Sequence, residues 1–118
     1  TVFGEGSQVR DFTYVIDIAE ATIRAHYSTK PDGKILNVGT QIPTRIIDVA
    51  NKVLDLIPES KSRIEFKPMV RGDPMGCVAD TSLLKATLNW LPSINLDQGA
   101  GRYIEWTKTN KNLIPKWV

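Results

Sequence analysis

Cysteine and histidine are nearly missing from this chain: 118 residues carry one of each, Cys77 and His26. A lone thiol cannot close an internal disulfide, and without a cysteine pair or a Cys/His cluster a structural zinc has no ligand set. Charge of one sign is also scarce. Fifteen Lys+Arg against thirteen Asp+Glu leave +2, with the basic residues scattered singly, so there is no stripe to track a nucleic-acid backbone. No apolar run approaches the roughly 20 residues that cross a bilayer, and Thr1-Val2-Phe3-Gly4 lacks the charged-then-apolar order of a signal peptide. These absences lead us to expect a cytoplasmic protein with no nucleic-acid or membrane partner. The initiator Met is absent too and Gly4-Glu5-Gly6 comes almost at once, from which we expect the chain to begin within a larger protein.

What is present reads as a globular α/β chain. Hydrophobic residues make up 42% and charged residues 24%, and a chain of this length buries roughly two thirds of its unfolded surface when it closes one core. A single domain over residues 1–118 with its own core is therefore expected. After a polar turn at Gly4–Gln8, Phe12, Tyr14 and Ile16 alternate with Thr13 and Val15 as in a strand. Asp17 reads as the cap of a helix to about Tyr27, with Glu20 completing a capping box. Ile35-Leu36-Asn37-Val38 before Gly39 suits a strand covered on both faces in a parallel sheet, which makes strand, helix, strand a βαβ unit.

Pro43-Thr44 opens a second helix through Ile46, Ile47, Val49, Ala50, Val53, Leu54 and Ile57, stopped by Pro58. A strand is expected at Ile64-Glu65-Phe66, then an irregular loop from Lys67 to Gly76. Asp80 or Thr81 caps a short helix carrying Leu83, Leu84, Ala86 and Leu88, with Asn89 in the left-handed position beyond its end. Asn95 caps a last helix through Leu96, Ala100, Tyr103, Ile104 and Thr107. The fold class is thus a small mixed α/β domain of short strands and about four helices.

Few side chains bear chemistry. Arg10, at the mouth of a strand, is able to fork onto phosphate oxygens or to form a surface salt bridge with Asp11. Arg71-Gly72-Asp73 offers a second guanidinium and a carboxylate that can accept sugar hydroxyls, or a solvated turn. His26 lies on a helix flank without a partner, and Cys77 reads as a small buried hydrophobe. Trp90 and Trp106 occupy helix positions and Trp117 the frayed end, so they make no stacking platform. Gly4-x-Gly6 lacks the third glycine and the preceding strand of a dinucleotide fingerprint.

A family resemblance goes further. Gly4 to Asp17 resembles the G-x-G-x-Q-x-R-D-[FY]-x-[YH]-V-x-D segment of the nucleotide-sugar epimerase/dehydratase family, the extended short-chain dehydrogenases. Leu36-Asn37-Val38-Gly39-Thr40 is similar to that family's F-N-I-G-T strand, and Thr44 to Ala50 to the helix start after it. Gly72-Asp73 followed by Ala79-Asp80 resembles its R-x-G-D…A-D element, Leu88-Asn89-Trp90-Leu91-Pro92 its L-G-W-x-P corner, and Ile104-Glu105-Trp106 its closing helix.

The resemblance implies the C-terminal, substrate-binding part of a Rossmann-type enzyme that uses NAD or NADP, bound by a domain absent here, to act on a nucleoside-diphosphate sugar. By position, Arg10 binds the diphosphate and Asp73 the nucleotide ribose. The family's second arginine stands three residues before that aspartate, where this chain has Val70; Arg71, one position late, is the candidate. The Tyr-x-x-x-Lys catalytic pair of the family is absent, since Tyr14, Tyr27 and Tyr103 are followed four residues on by Ile18, Pro31 and Thr107. The chain itself is therefore expected to hold no catalytic residue and no cofactor. A stand-alone sugar-nucleotide-binding module and a structural or interaction domain remain as alternatives, and uncovered apolar surface implies self-association of the fragment.

Overall fold

The structure is a computed structural model, and it describes residues 1–114. Five short strands and four helices follow one another: β1 (Val2–Phe3), β2 (Val9–Asp11), α1 (Val15–His26), β3 (Pro43–Arg45), α2 (Ile46–Leu56), β4 (Phe66–Lys67), β5 (Gly76–Cys77), α3 (Ser82–Leu88) and α4 (Leu96–Thr109), with a 3₁₀ turn at Lys111–Leu113. β1 pairs in parallel with β4. β2 lies at the centre of a second sheet, antiparallel to β3 and parallel to β5, with Arg10 in register with Thr44 and Cys77. The mixed α/β class is as the sequence implies, but the expected βαβ unit is not formed.

Several boundaries differ from expectation for local reasons. The alternating run from Phe12 to Ile16 is not a strand, because β2 ends at Asp11 and α1 starts at Val15. The Tyr14 carbonyl receives the amides of Asp17 (3.0 Å) and Ile18 (3.3 Å), so the helix starts without a side-chain cap. Asp17 is buried inside the first turn, where its Oδ2 accepts the Ile94 amide at 3.0 Å, and Glu20 pairs with Arg24 instead of completing a box. Pro43-Thr44 belongs to β3, not to a helix. The freed first-turn amides of α2 go to backbone carbonyls of the preceding loop, Ile46 to Gln8 and Ile47 to Gly6, both at 2.9 Å. Gly6 is required there: its φ is +72°, and a Cβ would approach Ile47 Cβ to 2.8 Å. The strand expected at 64–66 is shifted to Phe66–Lys67.

Residues 35–38 form no strand, and Ile35 is 91% exposed. An extended segment becomes a strand only when its backbone hydrogen-bonds to a partner's, and among the described residues this one is held only by the Asn37 side chain on the Asp80 carbonyl (3.3 Å). Two helix ends match expectation. Asn89 sits at φ +48°, ψ +40° beyond α3, and Asn95 forms a complete capping box with Gln98 on α4. At α3 it is Asp80 whose carboxylate accepts the Ser82 amide at 2.9 Å, while the Thr81 side chain caps nothing.

Among the described residues the fully buried apolar side chains are Val2, Ala21 and Leu84, fewer than composition leads one to expect, and α2 buries none of its residues fully. The Cα radius of gyration is 16.8 Å, whereas a compact domain of this length has about 13.5 Å. Cys77 is exposed, contrary to its reading as a buried hydrophobe. His26 is exposed and meets Tyr27 edge-on at 5.0 Å. Trp90 follows α3 instead of lying in a helix and has the Arg24 guanidinium 5.7 Å over its ring; Trp106 is in α4 and Trp117 lies outside the described residues.

Candidate functional site

β2 carries Arg10 at the middle of the three-stranded sheet, and the turn before β5 carries Asp73. The guanidinium and the carboxylate, 63 residues apart in sequence, meet with Nη2 2.5 Å from Oδ1. Arg10 Nη1 also donates to the carbonyls of Val9 and Pro74, each at 2.8 Å. Three of the five guanidinium donors are thereby used, leaving Nε–H and one Nη2–H without an acceptor among the described residues. Both side chains remain about a quarter exposed. The pair is thus a fixed, half-buried cation with two donors to spare, beside a carboxylate that still has lone pairs to offer.

Arg10 does not pair with Asp11, because that carboxylate is fully engaged elsewhere. Asp11 Oδ1 accepts the Thr40 amide (2.8 Å) and hydroxyl (2.6 Å); Oδ2 accepts the amides of Gln41 (3.0 Å) and Ala79 (3.2 Å). Partial burial pushes its carboxyl up, but the Thr40 hydroxyl and the three amides outweigh that and hold it below the usual range. Gly39 must be glycine for reasons of space: a Cβ would run into Asp11 Oδ2 and come 2.6 Å from Ala79 Cβ. Asp11 therefore fastens residues 39–41 and 79 to β2 and leaves Arg10 free to turn towards Asp73.

Of the three candidate side chains, the structure brings Arg10 and Asp73 together and leaves Arg71 apart. Arg71 is exposed in the turn closed by the Asp73 amide on the Val70 carbonyl (3.2 Å), and it hydrogen-bonds to neither. Gln8, which sequence reasoning passed over, joins the cluster: its Nε2 donates to the Phe3 carbonyl (2.9 Å) and to Asp73 Oδ2 (3.4 Å). Its position inside the quoted glycine-arginine motif was the available signal. A groove of about 500 Å³ runs past Arg10 between residues 36–38 and 77–80, with Leu36, Val38, Cys77 and Asp80 on its walls. A separate apolar pocket of about 280 Å³ between residues 12–15 and α4 includes neither Arg10 nor Asp73.

The arrangement offers donors of the kind that suit an anion and an acceptor of the kind that suits a hydroxyl. No group of three His, Cys, Asp or Glu able to hold a metal ion occurs among the described residues, and no helix there is long and apolar enough to cross a membrane. The glycine turn does not have the strand–turn–helix form of a dinucleotide cradle. Residues 4–6 lead into strand β2 and not into a helix N-terminus, and the space a Cβ would take at Gly4 and Gly6 is filled by Met69 and by Ile47 and Val2.

Comparison with known proteins gives the cluster its context. A family model described as NAD dependent epimerase/dehydratase family matches residues 1–39. UDP-glucuronate 4-epimerase from Thermodesulfobacterium geofontis is 37% identical over 114 residues, 96% of this chain and 34% of that protein. The first third of the chain thus matches that family's model, and nearly all of it is similar to one of the 4-epimerases. The fold agrees with this. The crystal structure of UDP-glucuronic acid 4-epimerase from Bacillus cereus, in complex with UDP-glucuronic acid and NAD, superposes with a TM-score of 0.81 at 28% identity, over 92% of this chain and 34% of that one. UDP-glucose 4-epimerase from Thermotoga maritima with UDP-glucose superposes with a TM-score of 0.83 at 25% identity, over 93% of this chain and 35% of that one. The chain spans about a third of the length of the relatives it matches.

Proposed function

We propose that this chain is the C-terminal, substrate-binding part of an NAD(P)-dependent nucleoside-diphosphate-sugar epimerase or 4,6-dehydratase. Its task is to hold the nucleotide so that the sugar is presented to a nicotinamide cofactor bound by residues outside these 118. Arg10 turns its spare Nε–H and Nη2–H onto the diphosphate, and Asp73 accepts from a ribose hydroxyl. Exposed Arg71 swings onto the outer phosphate. The observation that carries this reading is the Arg10–Asp73 cluster, a preformed cation and acceptor brought together from 63 residues apart in the chain. Such anchoring accelerates the reaction by fixing orientation, because remote binding groups convert an encounter into a positioned approach.

A charge-assisted fork to phosphate contributes about 1.5–3 kcal/mol, so Arg10→Ala should weaken binding roughly ten- to hundredfold. Calorimetric titration of the chain with UDP, dTDP and GDP, with and without that substitution, is the test. Saturable binding that Arg10→Ala weakens supports the reading. No binding of any of the three, or equal affinity in the variant, would leave Arg10 and Asp73 as a structural salt bridge in an interaction domain.

A further inference from the structure

Asp73 stands in an exposed turn whose neighbours Val70, Arg71, Gly72, Pro74 and Met75 are all exposed. Two side chains hold its carboxylate, one on each oxygen: Arg10 on Oδ1 and Gln8 on Oδ2. In the proposed function Arg10 must also serve a phosphate. A guanidinium that turns towards a second anion slackens its hold on the first, and the other contact then decides whether the carboxylate keeps its place. We propose that Gln8 is a positioning residue, whose buried amide keeps Asp73 in register with Arg10 while a nucleoside diphosphate is bound. This rests on the reading of Arg10 and Asp73 as the nucleotide anchor.

Three features of Gln8 support the role. Its side chain is 2% exposed and acts purely as a donor: Nε2 faces two acceptors, the Phe3 carbonyl and the Asp73 carboxylate, and Oε1 is buried with no partner among the described residues. Turning the amide over would set its oxygen against both acceptors, so the orientation is fixed by what it donates to. An unpaired buried acceptor is unfavourable, and a side chain of the same size without polar atoms would avoid it. The backbone at Gln8 is also anchored independently of the Asp73 turn, its carbonyl accepting the Ile46 amide of α2 at 2.9 Å.

The test combines a binding cycle with a measurement that needs no ligand. Gln8→Leu in this chain should lower UDP affinity about three- to tenfold, the range of one hydrogen bond to a charged group. In an Asp73→Ala background the same substitution should cost nothing further. In the ligand-free chain, Gln8→Leu should speed exchange of the Arg10 guanidinium protons with water severalfold, read by ¹⁵N-resolved NMR. Gln8→Met, unbranched and equally long, replaces the leucine variant should that one not fold. Unchanged guanidinium exchange, or an equal loss of affinity with and without Asp73→Ala, would overturn the proposal and leave Gln8 as a brace for the Phe3 carbonyl. Absence of UDP binding by the unsubstituted chain would instead overturn the nucleotide anchor, while the exchange measurement would still decide whether Gln8 holds the pair.

Discussion

Asp11 accepts from four donors on one carboxylate, and its neighbour Arg10 is not among them. Hydrogen bonds hold the folded Asp11 carboxyl below its unfolded value. The stability it contributes is therefore complete above the unfolded value and is lost as pH falls through the folded one, a window that opens below about pH 4. Asp11→Asn should cost about 2–4 kcal/mol at neutral pH, since several charge-assisted bonds weaken together. Urea unfolding at pH 7 and pH 3 measures this; a gap between variant and unsubstituted chain that stays constant over that range would disprove it. The sequence made Arg10 and Asp73 legible as chemistry-bearing residues, because guanidinium and carboxylate types beside glycine turns advertise anion and hydroxyl binding. It did not make their pairing legible: the contact depends on β2 and β5 lying side by side, a register that no local pattern encodes. Gln8 was less visible still, because a glutamine reads as surface until its burial is known.

At the scale of elements, what survived from sequence to structure were features settled within a few residues. The Asn95–Gln98 capping box on α4 and the left-handed Asn89 after α3 are both local bonds or local conformations. Asp17 shows where local reading fails. Its spacing to Glu20 fits a capping box, yet burial against residue 94 gives its carboxylate a better acceptor role, and α1 begins two residues earlier on the Tyr14 carbonyl. The two interpretations predict different variants. If Asp17 ties α1 to the segment before α4, Asp17→Ala strands the Ile94 amide and costs about 1–3 kcal/mol. Glu20, in an exposed pair with Arg24, should then matter by no more than about 0.5 kcal/mol on replacement with Ala. Denaturant unfolding of the two variants decides, and a Glu20→Ala loss equal to that of Asp17→Ala would restore the capping box. The segment 35–38 fails for a related reason: strand propensity is present, but pairing is a property of two backbones.

For the molecule as a whole, the accessible surface of 8712 Å² exceeds the about 6,400 Å² of a compact monomer of 13.2 kDa. Large apolar side chains contribute to it. Only Asp17 and Ala21 of α1 are buried, while Val15, Ile16, Ile18 and Ile23 along the helix, Tyr27 just beyond it, and Ile35 are exposed. At 100° per residue Val15, Ala19 and Ile23 fall on one side of α1, so this is a continuous face and not scattered residues. The proposed reading assigns the cover of this face, and a partner for the backbone of 35–38, to the cofactor-binding part. Without that cover, an apolar helix face beside an unpaired extended segment invites association. The isolated chain should therefore form dimers or larger species as its concentration rises into the millimolar range, and Ile23→Lys together with Ile35→Lys should shift it back towards monomer. Light scattering after size exclusion, with hydrophobic-dye binding alongside, measures both. A strictly monomeric chain at that concentration, with dye binding no higher than a compact domain of its size, would mean that it closes this face on its own and that the apolar surface of α1 needs no partner.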